Sequence, residues 1–287
     1  MVHKLETGSA VDFGRSDKLV SVVVPTYKRH AFLELTLKSI LAQTHSKLEV
    51  LVVADGEDPE TKQVVENQRD PRARYLDVSH AGFPAVPRNE GLRQSEGDLL
   101  AFCDDDDLWH PTKLEEQIPV LVSGEYGMCT TDYDYIDQNG TLLNSVNEYR
   151  MYYGPIDWRT FFPSMGFICN AAGLFTREVY QRVGGVNEDP KLRANEDFEY
   201  WMRVLFENKG YFIDRKLVSY RLHQGSIQKN TPWKVFQNRL TLHRSLKRTL
   251  SIPNGVYARK CAKLCVYYLF DQFPASQRVI RRLQGRG

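Results

Sequence analysis

The sequence lacks the features that would place it across a membrane or in an oxidising compartment. Its five cysteines are odd in number and form no Cys-x-x-Cys pair, which argues against a disulfide framework and a zinc site. The first fourteen residues are polar, without the apolar segment of a secretory signal peptide. Apolar runs such as Val22–Val24 and Cys265–Phe270 are far shorter than the roughly 20 residues of a membrane span. We therefore expect a cytoplasmic protein with reduced, mostly buried thiols.

The net charge of +2 is small, but it is unevenly distributed. Residues 234–287 contain twelve Lys or Arg and one acid, Asp271, whereas the preceding residues contain 26 basic and 35 acidic side chains. A tail of +11 on a body of −9 predicts contact between the tail and an anionic partner. Docking on the acidic body and peripheral contact with anionic lipid at the inner face of the plasma membrane both stay open. Nucleic acid is disfavoured, because basic residues alone do not make a binding module.

Apolar strands alternate with amphipathic helices through the first hundred residues. Leu19–Pro25 and Leu48–Ala54 are β-branched runs typical of parallel strands that are buried on both faces. Phe32–Gln43, between them, has helical spacing. This alternation predicts a doubly wound, mostly parallel α/β sheet. Further elements are expected as strands over 73–78, 99–103, 128–137, 167–175 and 211–222, and as helices over 61–68, 88–94, 177–183, 198–206, 234–250 and 256–270.

The domain organisation follows from the same pattern. We expect an N-terminal extension over residues 1–17, one α/β domain over 18–230 and a basic helical extension over 231–287. Asn139-Gly140 is a strong hairpin signal where the alternation gives way to strands. Nothing in the composition excludes self-association, so a homo-oligomer stays open.

Four consecutive aspartates, Asp104–Asp107, follow the apolar run Leu99–Cys103. If that run is a buried strand, the carboxylates lie at its C-terminal end, where open α/β sheets bind ligands. Adjacent like charges repel unless a cation or solvent relieves them, and hard oxygen ligands suit Mg²⁺ or Mn²⁺. The alternative is a solvated turn whose last aspartate caps a helix that begins near Pro111.

Five motifs in order resemble those of a family 2 glycosyltransferase with the GT-A fold, over about residues 18–230. They are Val24–Arg29 after the first strand, Asp55-Gly56 after the second, Arg88-Asn89-x-Gly91, Asn195-Glu196-Asp197 and Tyr220–His223. The resemblance implies an inverting, metal-dependent transferase that uses a nucleotide sugar, with a UDP-sugar as the expected donor. It also implies a glycan or lipid-linked acceptor in the assembly of bacterial surface polysaccharide.

The resemblance assigns the aspartate run to the cation and the donor. Asp104 and Asp106 match the positions of a DxD motif, in which Asp106 would bind Mn²⁺ or Mg²⁺. Asp104 or Asp105 would face the ribose and the waters of the metal. His223 would contact the metal or the diphosphate, since imidazole suits Mn²⁺ better than Mg²⁺. A structural role for His223 stays open, as it does for any lone histidine after a strand.

Other matching residues are assigned to the nucleotide. Asp55 falls on the family's uracil-binding position, although it could equally serve as a turn residue before Gly56, and Ala54 stands where many members carry another acid. Arg88 could pair with the diphosphate or be an ordinary surface arginine. The loop after the first strand contributes the remaining candidates, Pro25, Thr26, Tyr27 and Arg29, of which Tyr27 could instead be a packed aromatic.

The resemblance makes Asp197, next to Glu196, the candidate general base, which would take the proton of the acceptor hydroxyl. Adjacent carboxylates raise each other's proton affinity, which makes one of them a better base. The alternative is that both acids complement the dipole of a helix N-terminus. A non-catalytic nucleotide-sugar-binding or scaffold protein and a sugar nucleotidyltransferase are the rival functions. The latter usually has a glycine-rich loop after its first strand, and Pro25–Arg29 contains no glycine.

Overall fold

The computed structural model describes residues 16–143, 153–164, 168–223 and 232–271. The strands are β1 (Val20–Thr26), β2 (Leu48–Asp55), β3 (Ala73–Val78), β4 (Leu99–Phe102), β5 (Leu108–Trp109), β6 (Met128–Ile136), β7 (Leu142–Leu143), β8 (Gly154–Ile156), β9 (Leu174–Thr176) and β10 (Gly210–Arg221). The helices are α1 (His30–Leu41), α2 (Pro59–Asn67), α3 (Ala85–Gln94), α4 (Lys113–Val122), α5 (Trp158–Ser164), α6 (Arg177–Val183), α7 (Glu196–Glu207), α8 (Pro232–Thr249) and α9 (Asn254–Asp271).

The strands form a ten-stranded sheet in the order β3-β2-β1-β4-β9-β6-β10-β5, with β7 beside β6 and β8 beside β10. β1 pairs in parallel with both β2 and β4, and β10 pairs in parallel with β6. β9 runs antiparallel to both of its neighbours, β4 and β6. The sheet is mixed and mostly parallel, which confirms the predicted α/β class. The parallel half brings the C-terminal ends of β1, β2 and β4 to one edge.

Helices cover both faces of the sheet, and alternate residues of β1 pack against helices on opposite faces. Val22 and Val24 pack in a cluster with Leu33 and Leu37 of α1, whereas Val23 packs on the opposite face with residues of α3 and α7. All seven residues of β1 are buried. Because both faces are covered, the strand shows no polar alternation, as expected for a central parallel strand.

The strand expected over 167–175 is shorter than predicted. Asn170–Ala172 forms a 3₁₀ turn, β9 begins only at Leu174, and residues 165–167 lie outside the described ranges. Gly173, between the two, approaches an indole ring so closely that a Cβ atom would lie 2.4 Å from Trp201. The apolar residues of this segment are therefore buried by a turn, which presents Asn170 at the sheet edge.

The basic C-terminal helices pack on the body. Leu242, Leu246 and Leu250 of α8 are buried in the same cluster as Trp201 of α7, and Leu264 of α9 is buried as well. Packing on the body thus accounts for one face of α8. The expected boundary of a C-terminal extension at residue 231 stays a prediction. Within the described ranges, no helix combines the length and the apolarity needed to cross a bilayer.

Candidate active site

A cleft of about 770 Å³ opens where β1, β2 and β4 end, and the first turns of α3 and α7 form its sides. Its opposite wall is formed by residues of α8 and α9. Almost every candidate residue from the sequence lines it, namely Pro25, Thr26, Tyr27, Arg29, Asp55, Arg88, Asp104, Asp105, Asp106, Glu196 and Asp197. His223 adjoins this group through Asp106.

The carboxylates of Asp105 and Asp106 are held by the loop after β1. Arg29 NH1 donates to Asp105 Oδ1 at 2.9 Å and to Asp106 Oδ2 at 2.7 Å. Thr26 Oγ1 donates to Asp105 Oδ2 at 2.7 Å, and His223 Nε2 lies 2.9 Å from Asp106 Oδ2. Burial, with the charge of Asp106, raises the pKa of Asp105 to about 7. Asp105 is therefore partly protonated at neutral pH, which disfavours it as a ligand for a cation.

Asp107 points away from the cleft. Its Oδ1 accepts the backbone N–H of Arg221 at 3.0 Å, and its side chain is fully buried. Burial, with the charges of Asp106 and Asp104, raises its pKa well above the usual value. Helix α4 begins at Lys113 after Thr112, without a side-chain cap, so the interpretation of Asp107 as a helix cap is wrong. It ties β10 to the aspartate turn instead.

Arg88 joins the two acidic groups of the cleft. Its NH2 donates to Asp104 Oδ1 at 2.6 Å, and its NH1 donates to Glu196 Oε1 at 3.2 Å. The residue is only 4% exposed, so the alternative of an ordinary surface arginine is wrong. Gly91 explains the burial, because a Cβ at that position would lie 2.3 Å from Val23 Cγ1. The glycine lets α3 approach β1 closely enough to place Arg88 beneath the cleft.

Asp197 lies in the first turn of α7, partly exposed to the cleft. Its Oδ1 accepts the backbone N–H of Phe198 at 2.7 Å. Burial, with the charge of Glu196, raises the pKa of Asp197 to about 7. Ala194, two residues before the helix, has a left-handed φ of 65°, a strain of about 1–2 kcal/mol that is typical of functional sites. Such a carboxyl is half ionised near neutral pH, as a general base requires.

Asp55 is fixed by the loop after β3. Its two carboxylate oxygens accept the N–H groups of Ala81 and Gly82 at 2.6 and 2.8 Å. His80, in the same loop, contacts two further groups. Its Nδ1 lies 3.0 Å from the carbonyl oxygen of Asp55, and its ring stacks on that of Tyr27 with centroids 4.7 Å apart. Each carboxylate oxygen keeps a lone pair for a further donor. A smaller cleft of about 270 Å³ adjoins Tyr27, Asp55 and His80.

Three cationic or titratable residues of the opposite wall were missed by sequence reasoning, namely Arg239, His243 and Lys260. His80 and Asn170 were missed as well. His80 had a usable signal, because it follows β3 at the same edge as Asp55. For the residues of the opposite wall, the only signal in the sequence was the four-residue spacing of positions 239 and 243, which places them on one helix face. That spacing does not indicate which part of the protein the helix face will contact.

The donor set fits a divalent cation that is bound mainly by its substrate. His223 Nε2 lies at hydrogen-bond distance, 2.9 Å, from Asp106 Oδ2, so these two donors are close enough to hold one ion together. Five carboxylates at this edge, those of Asp104, Asp105, Asp106, Glu196 and Asp197, face the guanidinium groups of Arg29 and Arg88. Among the described residues no group of three or more His, Cys, Asp or Glu converges on one point. The protein would thus supply two ligands, from Asp106 and His223.

Comparison with known proteins places these features in a family context. The family model described as glycosyl transferase family 2 matches residues 21–184, more than half of the chain. The chain is 27% identical over 233 residues to a putative teichuronic acid biosynthesis glycosyltransferase, TuaG, of Bacillus subtilis, covering 80% of this chain and 89% of that protein. It is also 27% identical over 216 residues to WfgD of Escherichia coli, named UDP-Glc:alpha-D-GlcNAc-diphosphoundecaprenol beta-1,3-glucosyltransferase, covering 75% and 81%.

A glycosyltransferase of Rickettsia bellii without an assigned reaction is 27% identical over 256 residues. The match covers 88% of this chain but 35% of that longer protein. Among solved structures, Staphylococcus aureus TarS 1–349 in complex with UDP-GlcNAc has a TM-score of 0.67 at 18% identity, covering 86% of this chain and 71% of TarS. The mannosyltransferase PcManGT of Pyrobaculum calidifontis, solved with GDP-Man and Mn²⁺, has a TM-score of 0.63 at 17% identity, covering 94% and 76%. These two likenesses show the fold.

Proposed function

Since the chain belongs to glycosyl transferase family 2 and is therefore a glycosyltransferase, we propose that it transfers a sugar, with inversion, from a UDP-sugar to a glycan or lipid-linked acceptor. The observation that carries this proposal is the double hydrogen bond of Arg88, which joins Asp104 of the donor side to Glu196 beside Asp197. The UDP-GlcNAc complex of TarS and the UDP-Glc named for WfgD support the choice of nucleotide.

The uracil base would lie in the smaller cleft, against Tyr27 and His80. Tyr27 is 49% exposed and stacks on His80, with Lys28 Nζ 5.4 Å from the centroid of its ring, and the exposed part of the ring would contact the base. The carboxylate of Asp55, already oriented by two backbone N–H groups, would accept the base N–H. Pro25 and Thr26 line the path towards the aspartate turn, so the ribose and diphosphate would follow β1 to Asp104 and Asp106.

The chemical step needs a base on the acceptor side. An acceptor hydroxyl oxygen attacks the anomeric carbon, and the bond from that carbon to the diphosphate oxygen breaks with its electron pair on the diphosphate. Asp197 takes the hydroxyl proton, and its raised pKa of about 7 makes it a stronger base than an ordinary aspartate. Attack opposite the departing diphosphate inverts the anomeric carbon. Glu196, held by Arg88, lies beside the base.

A divalent ion, Mn²⁺ or Mg²⁺, would supply positive charge at the departing diphosphate, where negative charge grows as the bond breaks. Asp106 and His223 would hold it. Arg29, which donates to Asp106 Oδ2, would then turn to Asp105, where it already has a second hydrogen bond. The Mn²⁺ complex of PcManGT supports this assignment.

Hydrolysis or transfer assays with UDP-, GDP- and dTDP-sugars test the proposal. With Mn²⁺ we expect turnover of UDP-sugars at least tenfold above the other two classes, because Asp55 and the Tyr27–His80 pair select the base. EDTA is expected to abolish turnover, and Mn²⁺ to restore it. Turnover that is unaffected by chelation would contradict the metal assignment, and equal use of the three nucleotides would contradict base selection.

The matched variants are Asp106→Asn and Asp98→Asn. Asp106→Asn removes the negative charge of a proposed metal ligand. We expect turnover to fall about 10²-fold and the Mn²⁺ concentration needed for activity to rise. Altered metal sites typically lose about 10- to 100-fold or more in affinity or activity. Asp98 precedes β4 at the opposite end of that strand, where it pairs with Lys18. Its substitution should leave both turnover and the Mn²⁺ requirement unchanged.

We also propose that the α8–α9 pair contacts anionic lipid at the inner face of the plasma membrane. Trp233 is 51% exposed and stacks on Phe236, and Tyr268 of α9 contacts both rings. This aromatic cluster (Trp233, Phe236 and Tyr268) combines apolar faces with polar edges, as side chains at membrane interfaces do. Exposed basic residues on the two helices include Arg244, Arg248, Arg259 and Lys263.

Liposome flotation of the full chain tests this contact. Trp233→Ser is expected to lower binding to vesicles of 30% phosphatidylglycerol severalfold, because the indole supplies much of the apolar area. Val122→Ser removes an equally exposed apolar side chain on α4 and should bind as the wild type does. Truncating the helices is unsuitable, since it would expose the core around Leu246. Equal flotation of both variants and the wild type would exclude the lipid contact at this cluster.

A further inference from the structure

The far wall of the cleft carries positive charge that the proposed transfer step does not use. Arg239 and His243 are four residues apart on α8, so they lie on one face of the helix. Lys260 reaches the same wall from α9, and Leu242 lies between them. This anion wall (Arg239, His243 and Lys260) lines the same cleft as Asn195 and Asp197. It therefore shares the cleft with the candidate base.

Among the described residues, the anion wall forms no direct ion pair, although Asp197 lines the same cleft. Neither Arg239 nor Lys260 forms an ion pair there, and Lys260 Nζ donates to the carbonyl oxygen of Phe162. His243 Nδ1 is buried without a partner in the same ranges. Burial, together with the positive charges of Lys263 and Arg239, lowers the pKa of Lys260 to about 7. A cluster that repels itself in this way is relieved by an anion, and no described residue supplies one by direct contact.

We propose that the anion wall binds a phosphoryl group of the acceptor, so that the acceptor is a sugar carried on a lipid diphosphate. The inference rests on the transfer reaction proposed above and names its acceptor class. Arg239 would make paired hydrogen bonds to phosphoryl oxygens, and Lys260 would add a second cation from the opposite helix. With the phosphoryl group held there, the attached sugar extends towards Asp197.

The lipid part of the assignment comes from the helix face that continues beyond Arg239. Phe236 is three residues before Arg239 on the same face, and Trp233 is one turn further, about 9 Å along the axis from Arg239. An apolar chain attached to the bound phosphoryl group thus meets the aromatic cluster at once. A free inorganic anion would gain no affinity from the aromatic cluster. A diphosphate that carries an apolar chain would contact both the anion wall and the aromatic cluster.

Isothermal titration calorimetry with farnesyl diphosphate on the full chain, saturated with UDP and Mn²⁺, tests the inference. The wild type is expected to bind, and Arg239→Gln to bind at least tenfold more weakly, which corresponds to about 1.4 kcal/mol. Arg239 is partly exposed, so its substitution should leave the fold intact. Arg182→Gln, which replaces an exposed arginine on α6, is the matched control and should retain wild-type affinity.

Every alternative source of the phosphoryl group has its own readout. Equal affinities for inorganic diphosphate and farnesyl diphosphate would assign the wall to a free anion and overturn the inference. Lower flotation of Arg239→Gln on phosphatidylglycerol vesicles, with unchanged farnesyl diphosphate binding, would assign it to lipid head groups and overturn it too. If saturation with UDP abolished the binding of farnesyl diphosphate, this probe would lie in the donor site, which also contradicts the inference. Failure to bind UDP at all would refute the proposed function instead, and the farnesyl diphosphate titration would still report on the wall.

Discussion

Replacing Asp197 by Asn is expected to lower the turnover number for transfer about 10³-fold, within the 10²–10⁴ typical of a lost general base. Asn keeps the Oδ1 that accepts the N–H of Phe198, so the first turn of α7 should persist. The affinity for UDP, measured by calorimetry, should change less than twofold, because the base acts on the acceptor. Glu207→Gln, an exposed carboxylate at the other end of α7, is the control and should retain full turnover.

The same assignment fixes the sign of the pH dependence. The base works only when ionised, and its pKa is raised to about 7 by burial and by Glu196. The value of kcat/KM should therefore rise with pH up to about 7 and level off above it, whereas an ordinary aspartate would already be ionised at pH 5. Near-normal turnover of Asp197→Asn, or a flat profile between pH 5 and 8, would remove Asp197 from the mechanism.

Arg88→Met is expected to lower the free energy of unfolding by about 3–5 kcal/mol and to abolish transfer. Methionine fills a similar volume but leaves Glu196 buried without its cation, and stranding one member of a buried ion pair has costs of this size. Urea unfolding followed by circular dichroism measures the change. A variant that cannot be purified folded agrees with the expectation, because few domains of this size tolerate such a loss.

Two further substitutions separate charge from geometry. Arg93→Met breaks an exposed ion pair with Glu90 on the same helix, and its effect should stay within about 0.5 kcal/mol. Arg88→Lys keeps the charge but cannot reach Asp104 and Glu196 together, so stability should recover more than turnover does. A change below about 1 kcal/mol in Arg88→Met would mean that the bridge between the two acidic groups contributes little.

The elements with strong local signals were predictable. The bounds expected for β3 and α6 agree with the structure, and β1 and β2 were evident from their β-branched runs. The edge of the cleft at the ends of β1, β2 and β4 followed from a topological rule, because parallel strands bring their C-terminal ends to one edge. Each residue of that edge comes directly after a strand that the pattern identifies, or opens a helix beside it.

The part of the cleft formed by α8 and α9 depends on packing between distant segments, which the periodicity of a sequence does not record. Arg239 and Lys260 looked like any residues of a basic tail until α8 was seen to dock through its leucines. Asp107 looked like its three neighbours, and only the turn of the chain sends its carboxylate to the backbone of Arg221. Arg88 resembled a surface residue because the close approach allowed by Gly91 depends on Val23, far away in sequence.

The insertion of β9 between β4 and β6 has a mechanical consequence. Through this strand one hydrogen-bonded sheet continues from β4 to β6 and β10. A large swing of two lobes would break this ladder, so we expect substrates to enter without one. If Asp197 is the base, as we propose, the spacing between the leaving group and the base would then be built into the fold rather than assembled at each turnover.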